Sequence, residues 1–268
     1  MKSSDVLVYL NEMYQADWNA INDVIHRRAP LSATPEEIEA FAASLPTRYV
    51  TLGDPDYPQS LSQGYKPPWV LYYQGNLDLI KDIDRAATFV GARKCGDYGR
   101  KMARELAEGV AKQGVAVVSG LAAGIDSECL KAALPYGKAV AVLGNGLNKF
   151  YPSANEELQK EIARTGLLLS EYPFECPPTA QHFPLRNRIL AALGKVTIVI
   201  EAQEHSGTMI TTAFAAALGR DIGAVPFRAD EESSCNGLIR EGAALVEKPE
   251  DVLDIMGYNA WLRGGLFR

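Results

Sequence analysis

Two glycine-rich turns, each directly after a short apolar strand, limit what this chain can fold into more than any other feature of its sequence. The predicted strand over residues 88–90 runs into Gly91, Ala92 and Arg93, and a predicted helix over residues 98–113 then leads to a second strand. That strand, residues 115–118, continues into a turn that again contains glycines. Strand, helix and strand in this order favour two neighbouring parallel strands, whose carboxyl ends share one edge of a sheet. Backbone amides at that edge form a crevice that suits phosphate.

The alternation of short apolar strands and helices continues along the rest of the chain. Short, unbroken apolar runs are typical of strands that are covered on both faces. Repeated strand–helix units therefore predict an α/β fold, a doubly wound parallel, extended Rossmann-like sheet, over residues 46–268. Further strands are predicted over residues 139–143, 167–169, 196–200 and 222–225, with edge strands over 49–52 and 69–73. Further helices are predicted over residues 127–134, 154–165, 186–193, 208–218 and 249–256.

A small helical domain is predicted before this sheet, over residues 1–45. Apolar residues recur there at helical spacing, with prolines as interruptions. Thr34 and Pro35 are typical of a helix start, with threonine as N-cap and proline at the first helical position. A unit of about 45 residues is marginal for independent stability, so it is expected to pack on the main domain.

Composition excludes several classes of protein. Of 268 residues, 47% are hydrophobic and 22% charged, as in ordinary globular proteins. No apolar run reaches the roughly 20 residues that a membrane span needs, and Asp5 interrupts the first residues, where a secretory signal is apolar. Four widely spaced cysteines without a C-x-x-C pair favour a reducing cytoplasm over a disulfide frame or a zinc site. A cytoplasmic protein with no membrane partner is therefore expected.

The charge distribution is more informative than the net charge. A net charge of −6 argues against a protein that coats nucleic acid through its overall charge. Residues 84–104 nevertheless contain six basic residues against two acidic ones. Arg100, Lys101 and Arg104 are typical of a solvated helix face. Arg93 differs, because it belongs to the glycine turn itself and is expected near the mouth of the crevice.

The segment Ser206-Gly207-Thr208 opens a predicted helix soon after a predicted strand that ends at Glu201. Free N–H groups in a first helical turn, together with the helix dipole and nearby hydroxyls, suit a phosphate. The alternative is an ordinary helix cap, in which Ser206 satisfies backbone N–H groups. Because three other glycine turns fall on the same predicted edge, the ligand interpretation is favoured.

A phenylalanine and two arginines lie around the start of another predicted helix. Arg186 and Arg188 occupy the positive end of the helix dipole, an unfavourable place for cations unless anions lie nearby. Phe183, placed in a loop by the proline after it, offers a ring face on which a base can stack. The alternatives are that Phe183 fills the core and that the arginines form ion pairs with Glu171 or Glu201.

Catalytic signals are weak. None of the three histidines pairs by sequence with a nucleophile, and the G-x-S-x-G elbow, the P-loop, the G-x-G-x-x-G fingerprint and metal-ligand spacings are absent. Glu171 and Glu201, at predicted strand ends, are general-base candidates, but such carboxylates more often orient an arginine or a backbone N–H. We therefore expect a binding protein rather than an enzyme, with no cofactor and no metal.

Seven motifs occur in the order and at the spacing of a known family. They are Gly91-Ala92-Arg93, residues 119–126, Gly144-Asn145-Gly146 with Tyr151-Pro152, Ser170-Glu171, residues 183–188, residues 201–211 and residues 236–243. Over residues 49–254 the sequence resembles the DNA-processing protein A family (DprA, also called Smf), as a divergent member without a C-terminal winged-helix domain. It departs from the family pattern at Cys129, Leu130, Phe227 and Ser234, and Phe227 is expected to add bulk near the pocket.

The resemblance implies a function and a set of contacts. Family members bind single-stranded DNA on this sheet edge, form homodimers and help to load the recombinase RecA during natural transformation, the DNA uptake of competent cells. A dimer is expected to use apolar residues of the last helices, such as Leu238, Ile239, Leu253 and Ile255. The implied DNA-binding residues are Gly91, Arg93, Lys94, Ser119, Gly120, Gly144, Asn148, Lys149, Phe183, Arg186, Asn187, Arg188, Ser206, Gly207 and Thr211.

Two other function classes remain open from the sequence. A nucleoside-monophosphate hydrolase with the same sheet would use Arg93, Glu201 and the turn at Ser206, although that group's P-G-G-x-G-T-x-x-E signature is absent. A sensor that binds a small signalling nucleotide would use the same crevice. Release of free base would distinguish the first, and a thermal shift with mononucleotides the second.

Overall fold

The structure of the protein, a computed structural model, describes residues 2–204, 206–231 and 233–258. His205 and the predicted end of the main domain, residues 259–268, lie outside the described residues. Within them, no helix is long and apolar enough to cross a membrane.

The described residues form one mixed, mostly parallel sheet of nine strands. Its spatial order is β1-β2-β6-β5-β4-β3-β7-β8-β9. The two strands at one edge, β1 and β2, run antiparallel to their neighbours, and the other pairs are parallel. The strands are β1 (Arg48–Thr51), β2 (Val70–Gly75), β3 (Ala86–Gly91), β4 (Ala116–Ser119), β5 (Ala139–Val142), β6 (Leu167–Ser170), β7 (Val196–Ile200), β8 (Asp221–Ala224) and β9 (Ala244–Leu245).

Helices cover both faces of the sheet, as the unbroken apolar strands predict. Ala87 and Phe89 of β3 belong to the core on one face, and Ala86 and Val90 of the same strand belong to the core on the other. The helices are α1 (Ser3–Met13), α2 (Trp18–Arg27), α3 (Pro35–Ser44), α4 (Gln59–Ser62), α5 (Asp97–Lys112), α6 (Ile125–Ala133), α7 (Glu156–Thr165), α8 (His182–Leu193), α9 (Gly207–Ala217), α10 (Cys235–Arg240) and α11 (Pro249–Ile255). Helices α5, α6, α7 and α11 pack on the first face, and α4, α8 and α10 on the second.

The strand order places a topological switch at the centre of the sheet. From β3 the chain builds outward through β4, β5 and β6, then returns to add β7 on the other side of β3. Ligands of open α/β sheets bind beyond the carboxyl ends of the strands at such a switch. In this fold the position lies above β3, between the ends of β4 and β7, where the sequence predicts its crevice.

Helices α1, α2 and α3 precede the sheet, as predicted for residues 1–45. Thr34 caps α3 and forms a capping box with Glu37, and Pro35 occupies the first turn. Val8 of α1 belongs to the core of the main sheet, and Asn11 Nδ2 donates a hydrogen bond to the carbonyl oxygen of Glu171, at 3.0 Å. The helices therefore pack on the sheet edge formed by β1 and β2.

One helix boundary corrects the sequence prediction. Helix α8 begins at His182 rather than Arg186, so Phe183 and Pro184 lie in its first turn and not in a loop. Proline is compatible with a first helical turn, since the backbone N–H it lacks has no intrahelical partner there. The other predicted helices and strands differ from the observed ones at their ends.

Candidate nucleic-acid interface

A cleft of about 690 Å³ opens at the carboxyl ends of β3 and β4, beside the first turns of α8 and α9. Its floor follows the turn after β3, where Gly91 permits a close approach of three elements. A Cβ atom at this position would lie 2.0 Å from the carbonyl oxygen of Ile200 and 2.6 Å from Cγ1 of Ile125. The turn therefore fits only with glycine, and it carries Arg93 and Lys94 to the rim.

An aromatic pair with a cation lies at the mouth of the cleft. The rings of Phe183 and Tyr151 are 5.1 Å apart between centroids, and Tyr151 is 43% exposed. The guanidinium of Arg93 lies 5.9 Å from the centroid of the Phe183 ring. A Cβ atom on Gly144 would come within 2.7 Å of that ring, so the turn after β5 supports it from below. Flat faces beside an exposed cation are what stacking on unpaired bases requires.

Arg186 reaches the cleft from α8 but is itself buried. Its Nη1 donates to the carbonyl oxygens of Gly120, at 2.8 Å, and Val142, and its Nη2 donates to no described residue. Burial lowers the pKa of Arg186 to about 10, and the charge of Asp126 opposes this shift. The guanidinium therefore stays cationic at neutral pH and has one nitrogen available to a ligand.

Asp126 is the acidic residue among the described residues that line the cleft. It lies in the first turn of α6, and Oδ2 accepts hydrogen bonds from the backbone N–H groups of Gly120, at 3.1 Å, and Ala122, at 3.4 Å. Burial raises the pKa of this carboxyl, and the Arg186 charge opposes the rise. Asp126 thus shapes the turn after β4 and balances part of the positive charge nearby.

The start of α9 supplies hydrogen-bond donors to the same cleft. Ser206 is the N-cap residue, yet its side chain makes no capping hydrogen bond, and its buried Oγ has no partner among the described residues. Asn187 Nδ2 donates to the carbonyl oxygen of Gly207, at 3.0 Å, and thereby joins α8 to α9. An ordinary cap would use the Ser206 hydroxyl on the helix. Its freedom fits the ligand interpretation better.

The structure brings most of the sequence-predicted site residues together. Those that line the cleft are Gly91, Arg93, Lys94, Phe183, Arg186, Asn187, Ser206, Gly207 and Thr211, and Gly120 lines the adjoining recess. Gly144 lies beneath the Phe183 ring. His182 directly precedes Phe183 in α8. A 3.2 Å hydrogen bond between its Nδ1 and the carbonyl oxygen of Gly144 joins the start of α8 to the turn after β5, and burial lowers the pKa of His182.

Four predicted site residues lie elsewhere. Ser119 is fully buried, and its Oγ donates to the carbonyl oxygen of Phe89. Asn148 and Lys149 both contact the side chain of Glu175 at the surface. Arg188 is buried in an ion pair with Glu171, the alternative that the sequence left open. None of the four lines the described cleft.

Glu201 also has a structural partner. Its carboxylate accepts the backbone N–H of Gly96, with Oε2 at 3.0 Å, and its carbonyl oxygen accepts the N–H of Ala92. Glu201 adopts a left-handed backbone conformation, with φ at 56°, and so turns back over the loop that carries Arg93. It orients that loop, as strand-end carboxylates often do.

The departures from the family pattern lie outside the cleft. Cys129 and Leu130 are fully buried on the inner face of α6. Phe227 packs edge-on against Tyr98, with ring centroids 5.1 Å apart. Phe227 is not among the residues that line the cleft, and its described ring contact is with Tyr98 at the start of α5.

A family model described as DNA recombination-mediator protein A matches residues 48–257. The chain belongs to the DNA recombination-mediator protein A family. Among its relatives, Protein Smf of Synechocystis sp. is 39% identical over 215 residues, which are 78% of this chain and 54% of that protein. The DNA processing protein DprA of Streptococcus pneumoniae is 44% identical over 203 residues, 75% of this chain and 71% of that protein. The chain thus aligns with about half the length of the Synechocystis relative.

Solved structures of this family have the same fold. The structure of DNA processing protein A from Streptococcus pneumoniae superposes with a TM-score of 0.80 at 33% identity, over 94% of this chain and 98% of that one. DNA processing protein A from Helicobacter pylori, whose structure concerns its single-stranded DNA binding mode, superposes with a TM-score of 0.72 at 30% identity. That match covers 81% of this chain and 97% of the other.

Several cleft residues of this family member were not predicted from the sequence, and Tyr151 and Asp126 are the two with the most distinct contacts. Tyr151 and Asp126 each belong to a motif that the sequence reveals, but neither was assigned a place in the site. The sequence offered one signal for both residues: each lies within a few positions of a predicted glycine turn. Only the packing of Tyr151 against Phe183 indicates its direction.

Proposed function

We propose that this chain binds single-stranded DNA in the cleft above β3, without preference for sequence. The observation that carries the proposal is the arrangement of Arg93, Phe183 and Tyr151, a cation and two aromatic rings at the mouth of a cleft. The Ser206 hydroxyl and Nη2 of Arg186, neither of which has a hydrogen-bond partner among the described residues, are donors for phosphate oxygens deeper inside. The single-stranded DNA binding mode of the Helicobacter pylori relative supports the same assignment.

Single strands suit this site better than duplexes for a geometric reason. A base can lie on the Phe183 ring only if its face is free, and in a duplex stacking on the neighbouring base pairs covers that face. The other contacts come from backbone amides, hydroxyls and cations, which recognise phosphate and carry no sequence code. Affinity is therefore expected to depend on strandedness and salt rather than on base sequence.

We further propose that the bound strand is handed to a RecA-type recombinase during natural transformation and that the protein acts as a homodimer. The description of the family as recombination mediators and the DNA-processing names of its relatives support this role.

The proposed dimer contacts need revision, because Leu238 and Leu253 are buried in the monomer's own core. Light scattering tests the dimer against a monomer mass of 29.1 kDa. A shortened lag in RecA ATP hydrolysis on DNA precoated with a single-strand-binding protein tests the loading role.

Fluorescence anisotropy with labelled oligo-dT tests the binding function. We expect single strands to bind more tightly than a duplex of equal length, and log K to fall with log salt by about 0.7 for each phosphate neutralised. Thymidine monophosphate at millimolar concentration is expected to compete poorly. Equal affinity for duplex and single strand, or effective competition by the mononucleotide, would contradict the proposal and favour a nucleotide sensor.

The stacking contact has its own test at Phe183. Replacing Phe183 with Ala removes the ring face and is expected to weaken oligo-dT binding by about tenfold or more, since stacking contributes about 1–3 kcal/mol per base. Phe183→Tyr keeps the ring and is expected to bind as the original protein does. If the alanine variant retained full affinity but had a lower melting temperature, the ring would be part of the fold and not of the interface.

A further inference from the structure

A strip of aromatic side chains, in which Tyr65 is exposed and Phe214 and Trp18 are half-buried, continues from the rim of the cleft toward the N-terminal helices. Ile210 of α9 lines the cleft, and Phe214 lies one helical turn beyond it. The Tyr65 ring stacks on Phe214, with centroids 6.1 Å apart and planes 25° apart, and Tyr65 is 56% exposed. We call Phe214, Tyr65, Lys66 and Trp18 the aromatic strip.

Lys66 places a positive charge between two rings of the aromatic strip. Its Nζ lies 5.5 Å from the ring centroid of Tyr65 and 5.5 Å from that of Trp18. The same nitrogen donates to Asn19 Oδ1 at 2.8 Å and contacts no carboxylate among the described residues. Within the described residues its charge is therefore not neutralised by a carboxylate, unlike that of Lys149, which is paired with Glu175.

The backbone holds this lysine at some cost. Lys66 has φ at 44°, in the left-handed region that residues with a Cβ atom disfavour. Its carbonyl oxygen accepts a 3.0 Å hydrogen bond from Nε of Arg188, and the next carbonyl, of Pro67, accepts one of 2.8 Å from Trp18 Nε1. These contacts fix the direction of Lys66 in advance and connect it to α8, which carries Phe183.

We propose that a single-stranded nucleic acid leaving the cleft across α9 continues along the aromatic strip. One base stacks on the exposed face of Tyr65, and a phosphate lies at the ammonium group of Lys66. This inference rests on the proposed function, since the strip binds nothing unless the cleft holds a strand. Continuity with the cleft through Ile210 and Phe214 and the unpaired charge of Lys66 select a polyanion with flat bases as the occupant.

Packing of the N-terminal helices accounts for only part of the strip. Trp18 stacks on Trp69, with centroids 5.4 Å apart, and this contact joins α2 to the sheet edge. This packing explains why Trp18 is half-buried. It does not explain the exposed Tyr65 ring or the Lys66 charge between the rings, because neither is needed to join the helices to the sheet.

Oligonucleotide length separates the strip from the cleft. With oligo-dT of about 6 nucleotides, short enough to be held by the cleft, Tyr65→Ala and Lys66→Gln are expected to leave the affinity unchanged. With oligo-dT of about 20 nucleotides, Tyr65→Ala is expected to weaken binding about tenfold. Lys66→Gln is expected to reduce the slope of log K against log salt by about 0.7, for the longer strand only.

Tyr136→Ala is the matched control. Tyr136 is 37% exposed and has the ammonium of Lys112 at 5.8 Å from its ring, but it lies after α6, away from the cleft residues. Tyr136→Ala is expected to leave the affinities for the shorter and the longer oligo-dT unchanged. Melting temperatures of all variants check that each chain folds.

Three outcomes are informative. If Tyr65→Ala weakens binding of the longer oligonucleotide alone, the proposed path along the aromatic strip is supported. Unchanged binding of both strands by Tyr65→Ala overturns it and leaves the exposed ring for contact with another protein, while the cleft function stands. If the unmodified protein binds neither oligonucleotide, the proposed function fails first and the strip fails with it.

Discussion

Six basic residues lie between Arg85 and Arg104, and their surroundings differ in a way that their sequence does not reveal. Arg100 donates to the carbonyl oxygen of Cys95, and Arg104 forms an ion pair with Glu128. Arg93 instead lies exposed on the rim of the cleft, over the Phe183 ring. Its place in a glycine turn is readable in the sequence, and the position predicted from it, near the mouth of the crevice, is the one observed. Arg104 contacts a partner on another helix, α6, which local sequence does not reveal.

Arg93→Gln tests whether this exposed cation meets a phosphate. We expect single-stranded DNA to bind about fivefold more weakly at low salt and the salt slope to fall by about 0.7. Stability is expected to be unchanged, because the side chain is exposed. Arg85→Gln is the control, since Arg85 is also exposed but lies at the opposite end of β3. Equal losses in the two variants would indicate a general charge effect rather than a site.

We expect the buried ion pair of Arg188 and Glu171 to contribute to stability rather than to binding. Both Nη atoms of Arg188 bond the carboxylate, at 2.8 and 2.5 Å, and both residues are almost fully buried. Glu171→Gln leaves the guanidinium without its counter-charge, so we expect a loss of about 3–5 kcal/mol in unfolding free energy by chemical denaturation. Glu175→Gln, in the exposed pair with Lys149, is the control and is expected to have no measurable effect. If the Glu171→Gln chain kept its stability but no longer bound DNA, Arg188 would belong to the DNA-binding interface.

The turn between β4 and α6 decides where the Arg186 guanidinium lies. A Cβ atom on Gly120 would come within 2.6 Å of Arg186 Nη2 and 2.7 Å of Asp126 Oδ2. Glycine at this position thus lets a buried cation and a buried carboxylate meet the same stretch of backbone. The sequence indicated a close approach to a ligand there. The structure adds that the protein's own side chains occupy much of that space.

Gly120→Ala is expected to displace the guanidinium and weaken oligo-dT binding by about tenfold. The displacement should also lower the melting temperature, because Arg186 would lose its hydrogen bond to the Gly120 carbonyl oxygen. Gly237→Ala, within α10 and with no close neighbour, is the control and should be neutral or slightly stabilising. Unchanged binding by Gly120→Ala would mean that Arg186 does not contact the strand.

Secondary structure and its order were largely predictable here, and side-chain directions were not. Apolar strands ending in glycine turns identify β3, β4 and β5 because local composition alone specifies them. The start of α8 was misplaced, because Phe-Pro before a helix reads equally well as a loop. The direction of Tyr151 depends on packing between β5 and α8, which are distant in the sequence.

The molecule as a whole has the switch topology that its alternating elements predict, with the cleft where the strand order reverses. Packing of the N-terminal helices on the main domain was predicted from their size, but the residues that make the contact were not. The antiparallel pairing of β2 with β1 and β6 was not predictable either, since it depends on contacts between segments distant in the sequence. We propose that residues 1–45 form a domain that depends on the sheet for its stability. The hydrogen bond from Asn11 to the carbonyl oxygen of Glu171 supports this dependence.

The hydrogen bond between Asn11 and the carbonyl oxygen of Glu171 has a consequence for the DNA-bound protein. Asn11 contacts Glu171, Glu171 holds Arg188, and Arg188 lies on the helix that forms one wall of the cleft. Binding and local opening are linked reciprocally, so a strand that steadies α8 should slow amide hydrogen exchange in α1. Mass spectrometry should detect added protection there on oligo-dT binding, lost in Asn11→Ala while the affinity persists. The N-terminal helices would then report, from a distance, whether the cleft is occupied.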